Sequence, residues 1–277
     1  MEGKAHFKIL FLLSLVSSVV GHGRLIDPPS RNSAWRFGFP NPPHYTDNEL
    51  NCGGFNVQWK TNGGKCGVCG DPYHEKNQPH IWPGKYANGI KTKTYREGQE
   101  IEVLIEITSN HKGTFFFRIG ELKSEPITEK QLVYQLKQPD GSVSWELPEG
   151  SGNDVFKIKL KLPAGLTCSR CVLRWWERTG NNWGCANPSN CGQGGNPKQE
   201  TFVNYADVAI IKKDGSLPPT RFSKSTKRPR TKPPPTDAPN PSKCRAIGHW
   251  RGNASMDNWC QRSCGRGYCP SNMSACN

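Results

Sequence analysis

The stretch "IEVLIEITSNHKGTFFFRIG", residues 101–120, decides the fold. Ile101, Val103, Ile105 and Ile107 fall on one face, with Glu102, Glu106 and Thr108 on the other. That period of two predicts a half-buried strand over 101–108. "GTFFFRIG" (113–120) predicts a second strand. Further along, "DVFKIKLKLP" (154–163), "CVLRWWER" (171–178) and the closing "FVNYADVAIIK" (202–212) read the same way. Residues 22 to about 90 show little periodicity and read as long loops with short strands. "HGRLIDPP" (22–29) holds nothing that reads as a core strand. With 29 Gly, 23 Pro and a mean hydropathy of −0.71, the chain is predicted to be an all-β sandwich rather than a helical bundle.

The flanks differ in kind. Lys4 and Lys8, the apolar run Ile9–Val16 and the small residues before His22 read as a secretory signal over 1–21. Cleavage after Gly21 makes His22 the first mature residue. Twelve cysteines then belong to an oxidising compartment, and the chain is expected to be extracellular. No second apolar run is long enough to cross a bilayer. Residues 212–243 are rich in Pro and Lys and read as a disordered linker. They carry nine basic and two acidic residues, half of the net charge of +14. Basic charge held mainly in a spacer weakens the case for nucleic acid as a partner. Residues 244–277 hold five cysteines and few aliphatics, so this small module needs disulfides in place of a core. Asn253 and Asn272 head N-glycosylation sequons.

A histidine at a free N-terminus offers its α-amine and its imidazole Nδ1 as one chelate. A second histidine supplies a third nitrogen and leaves open positions, which suits copper. An internal histidine cannot chelate this way, because its nitrogen is an amide. His111, just after the strand 101–108, is the expected second ligand. His44, His74, His80 and His249 lie in Pro- or Gly-rich segments without such support. Two CxxC pairs, Cys66/Cys69 and Cys168/Cys171, are expected to be disulfide-bonded rather than zinc-binding, since they stand too far apart for a zinc ribbon.

"HGRLIDPPSRNSAWRFGF", "NELNCGGF", "GGKCGVCGDPY", "SNHKGTFFFRI", "PAGLTCSRCVLRWWERTGNNWG" and "QETFVNYADVAI" resemble the lytic polysaccharide monooxygenases of auxiliary activity family fifteen. These belong to the chitin-binding type-4 group, and the resemblance covers nearly all of 22–211. It implies an immunoglobulin-like or fibronectin-like sandwich with long loops and a flat substrate face. It also implies one copper ion per catalytic domain, held by a brace at His22 and His111. Phe202 matches the family's axial aromatic, and strand alternation puts Glu200 on the same side as a residue beside the copper. Ser109 matches the small residue near the open face, and Tyr45 is a candidate for stacking on a sugar ring. The function implied is copper-dependent oxidative cleavage of chitin, with cellulose as the other substrate. An external electron donor is needed, and the chain is expected to act as a monomer without a membrane or nucleic-acid partner. A non-catalytic chitin-binding matrix protein is the alternative.

The tail resembles a small cysteine-rich module of secreted invertebrate carbohydrate-active proteins, which implies chitin binding. Trp250, Trp259 and Tyr268 would form its platform or pack on its disulfides. Seven cysteines precede the linker and five follow it, so both counts are odd. The family usually has cysteines where Gly120 and Tyr205 stand. Residue 205 is expected to be the usual partner of Cys52, which leaves Cys52 alone. A flexible linker is not expected to hold the two modules in contact, so the odd thiols are expected to stay separate.

Overall fold

The computed structural model describes residues 22–216 and 218. In the tail it describes 244–247, 251, 257, 260, 261 and the backbone of 274–276. The leader, nearly all of the linker, and Trp250, Asn253, Trp259, Tyr268 and Asn272 lie outside the described residues.

The strands are β1 (His22–Asp27), β2 (Lys93–Arg96), β3 (Glu100–Ser109), β4 (Gly113–Glu121), β5 (Tyr134–Gln135), β6 (Ser144–Glu146) and β7 (Asp154–Lys161). β8 (Cys168–Thr179), β9 (Trp183–Asn187), β10 (Asn190–Gln193), β11 (Thr201–Ile211), β12 (Cys244–Ala246) and β13 (Ser274–Cys276) complete the set. One sheet has the order β1-β3-β7 and the other β2-β11-β8-β4-β5, with β6 also on β4. Between them lies the main core, including Leu25, Val103, Ile105, Phe115, Phe117, Trp175, Phe202 and Val208. The chain is therefore a β-sandwich, and the five strands read by alternation all form.

Several expectations need correction, beginning with β1. The segment after His22 is a core strand: β1 pairs antiparallel with β3, and Leu25 and Ile26 are fully buried. Its polar residues disguised it. Arg24 is buried because Nε meets Glu106 at 2.6 Å and a terminal nitrogen meets Asp47 at 2.6 Å. Asp27 is paired with Lys93. The face of β3 opposite the core is likewise not open to water. Leu104 and Glu106 are buried there: Leu104 packs with Ile26, Phe37 and Val155, and Glu106 lies under Arg24, which also holds Asp47. Burial outweighs Arg24 at Glu106 and holds its carboxyl above the usual range.

Gly23 lets β1 lie close on the core: a Cβ there would stand 2.8 Å from Ile107 Cδ1 and 3.0 Å from Trp175. β3 then ends at Ser109 opposite His22, and the chain crosses to the second sheet through Asn110, His111 and Lys112. Asn110 shapes that crossing. Its Oδ1 accepts from the Lys112 N–H at 2.7 Å, and its own N–H donates to Asn153.

The disulfides are Cys52–Cys66, Cys168–Cys171 and Cys185–Cys191. Cys52 is thus paired, and Cys69 is the cysteine left out before the linker, contrary to expectation. Cys69 is buried with Leu122, Val203 and Tyr205, and its thiol accepts from Arg31 at 3.7 Å. Residue 205 therefore shares a cluster with Cys69 as well as with Cys52. At Gly120 a Cβ would stand 1.7 Å from the Gln131 carbonyl oxygen, so this backbone admits no cysteine there. In the tail, Cys244, Ala246 and Cys260 pack with Ile26, Phe37, Leu104 and Val155. The described tail residues thus touch the outer face of the three-stranded sheet, which the linker's composition did not suggest.

Candidate metal centre

His22 opens β1 and His111 follows β3, so pairing of these two strands brings the histidines to one end of the sandwich. Each ring is tied by one nitrogen. His22 Nε2 lies 3.1 Å from Glu49 Oε1. His111 Nδ1 lies 2.8 Å from the Asn181 side-chain amide. Thr179 Oγ1, 3.0 Å from Asn181 Oδ1, either donates or accepts, so the amide can present oxygen or nitrogen to the ring. The Gly180 N–H donates to the His111 carbonyl at 3.1 Å and fixes the backbone.

The other nitrogen of His111 carries the chemical information. Nε2 is buried and makes no hydrogen bond. Burial, and secondarily the charge of His22, hold the His111 pKa below its ordinary value. The ring is therefore neutral near pH 7, and when the Asn181 amide turns its oxygen to the Nδ1 proton, Nε2 carries the lone pair. A buried, unpartnered imidazole nitrogen beside a second histidine fits a metal ligand. Among the described residues no group of three or more His, Cys, Asp or Glu side chains gathers as a metal site. A brace of two imidazoles and one amine needs no such group.

Glu200 stands at the edge of this pair. Its Oε2 is 4.0 Å from His111 Nδ1, and its Oε1 accepts from Asn51 Nδ2 at 3.0 Å. Burial raises its pKa, opposed by Asn51 and His22. Phe202 is 1 % exposed and belongs to the main core, opposite Glu177 on β8. Glu177 is buried too, and its pKa is pushed up to about 8 by loss of water and then by the charge of Glu200. Ser109 pairs with His22 across β1 and β3.

Tyr45 is 79 % exposed and stands edge-on to Trp35, in the loop that leads to Glu49. That loop is anchored by Asp47, which receives Arg24, Arg36 at 2.5 Å and, at its carbonyl, Asn32. The Asn48 carbonyl accepts from the Gly23 N–H at 2.9 Å, so the loop lies beside the start of β1.

Sequence reasoning missed Glu49, Asn51, Asn181 and Trp183. Trp183, 69 % exposed, opens the β9–β10 hairpin two residues after Asn181. Its signal was present: a large aromatic among Asn and Gly, next to Cys185, where no core strand could use it. The three polar residues carry no such signal, because only the fold brings them to the histidines.

Comparison with known proteins covers most of the sandwich. Residues 22–208 match the family model described as "Lytic polysaccharide mono-oxygenase, cellulose-degrading". Among solved structures, the chain is 40 % identical to an AA15 lytic polysaccharide monooxygenase from Thermobia domestica in the Cu(I) state. The match covers 68 % of this chain and 98 % of that one, with a TM-score of 0.64. A chitin-binding domain from Burkholderia pseudomallei is 15 % identical over 69 % of this chain and 100 % of its own, at a TM-score of 0.36. A search of curated protein sequences returned no match.

Proposed function

Since the chain belongs to the lytic polysaccharide monooxygenases, copper-dependent oxidoreductases that cleave polysaccharides, we propose that it is a secreted enzyme that oxidatively cleaves chitin, with cellulose as the competing substrate. The observation that carries this reading is the buried, unbonded Nε2 of His111 beside His22 at the end of β1. With the leader removed, the α-amine and Nδ1 of His22 and Nε2 of His111 would hold the copper. Copper at that position supplies one-electron redox chemistry, by which a reductant and peroxide or dioxygen oxidise a C–H bond next to a glycosidic link.

The chain's own residues orient, shield and dock. Glu49 accepts the Nε2 proton of His22 and so leaves Nδ1 as the ligand atom. Asn181 holds the His111 ring through Nδ1. Glu200, steadied by Asn51, is placed to hold or release a proton beside the open face. Phe202 closes the site from the core side and keeps water from beneath it. Ser109 leaves space at the open face. Tyr45 and Trp183 present rings to a flat substrate from two loops. Chitin is favoured by the tail's resemblance to chitin-binding modules, whereas the family description names cellulose.

The test is product analysis. The secreted protein, given copper and a reductant, is incubated separately with chitin and with cellulose, and soluble products are read by mass spectrometry. Oxidised chito-oligosaccharides are expected. Oxidised products from cellulose alone would overturn the chitin assignment, and none from either would overturn the enzyme reading. His111→Ala, or one residue added before His22, should remove the one Cu(II) equivalent held at His22 and His111, read by calorimetry. Unchanged stoichiometry in both would refute the brace.

A further inference from the structure

A second pair of histidines meets in the loops before β2, away from His22 and His111. His80 is 2 % exposed, and its Nδ1 lies 2.7 Å from Asp71 Oδ1. The Asp71 Oδ2 accepts the His80 backbone N–H at 3.1 Å, so carboxylate and ring are fixed together. His80 Nε2 is buried with no hydrogen bond, and so is His44 Nδ1. The two ring centres stand 5.3 Å apart, and both rings pack on Tyr86 at 4.7 Å. Two buried imidazole nitrogens on neighbouring rings are thus left without a hydrogen-bond partner, and each calls for an occupant.

We propose that His44 Nδ1 and His80 Nε2 form a second metal site, for a late first-row divalent cation of the Cu(II) or Zn(II) type. Asp71 behind His80 is the carboxylate–histidine pairing that fixes the tautomer and leaves Nε2 for the metal. The spacing agrees: with metal–nitrogen bonds of about 2.0–2.1 Å and a tetrahedral angle, two imidazole centres lie about 5.2 Å apart. Burial and His80 hold the His44 pKa below its ordinary value, so its ring is neutral near pH 7. Asp47, and the ring's contact with its own backbone, act on His44 in the direction that favours a cation, and the Lys85 ammonium, 5.0 Å from the Tyr86 ring, opposes it. Half-exposed His44 leaves a route for the ion, and water completes its shell.

This site is separate from the first. The His80 carbonyl accepts from Arg31, and Arg31 pairs with Asp207. Asp207 stands six residues along β11 from Thr201, about 20 Å at strand rise. The bound ion would clamp the loop around His44 to the loop 71–86, neither of which belongs to a sheet. The proposal does not depend on the assignment of His22 and His111.

The test is metal stoichiometry of the mature full chain, titrated with Cu(II) and, separately, Zn(II) by calorimetry and checked by elemental analysis. Two Cu(II) equivalents are expected in the wild type. His44→Gln, at a half-exposed position, and His80→Gln should each lose one equivalent. They should lose it whether or not His111→Ala is present, while His74→Gln changes nothing. Zinc should raise the melting temperature of His111→Ala but not of the folded double variant His111→Ala, His44→Gln. Unchanged equivalents in His44→Gln and His80→Gln would overturn the site and leave a bridging water as the occupant.

Discussion

Glu177 shows what a single buried group imposes on the molecule. Folded, its carboxyl titrates at about 8; unfolded, near 4.5. Between those values the folded chain keeps a proton that the unfolded chain releases, so rising pH removes stability. The slope from this group approaches about 1.4 kcal/mol per pH unit between pH ~5 and ~8, and levels off above. Glu177→Gln stays neutral throughout. Its melting temperature should gain on the wild type as pH rises from 5 to 8, and parallel curves would contradict the assignment. Cys69 makes a second claim at this scale. Burial pushes its thiol well up, so it is inert in the native protein. Alkylation after unfolding without reduction should label Cys69 and leave Cys52 unlabelled; the reverse would restore the pairing read from resemblance. That pairing was not legible because a cysteine's partner is set by Cα separation, here 5.0 Å for Cys52–Cys66.

At the scale of the element, the β9–β10 hairpin carries Trp183 outward and is stapled by Cys185–Cys191. One stacked ring contributes about 1 kcal/mol. Trp183→Ala should therefore weaken binding to insoluble polysaccharide roughly fivefold while Cu(II) affinity stays unchanged. Equal retention on the solid would remove Trp183 from the docking face. β3, β4, β7, β8 and β11 were legible because alternating apolar residues report a face buried against the other sheet. β1 was not. Its Arg24 and Asp27 are compensated by Glu106, Asp47 and Lys93, residues 23 to 82 positions away, and no local period records that.

For the whole molecule, the relation between sandwich and tail is open to direct measurement. A second weak binder joined by a linker raises the effective concentration of the first at a surface. Ending the chain after Lys212 should weaken retention on chitin and leave copper binding intact; equal retention would exclude a targeting role. By itself the sequence determined the β class, five strands of the main core, and the two histidines that open β1 and follow β3, because periodicity and position in the chain are local properties. Only the tertiary structure decided that Glu49, Asn51 and Asn181 surround those histidines, that Arg24 and Glu106 are buried, that Cys69 is the unbridged cysteine, and that His44 and His80 share Tyr86. Each of these is a contact between segments far apart in the chain. The side chains involved are polar, and polar side chains are buried only where a partner from elsewhere meets them.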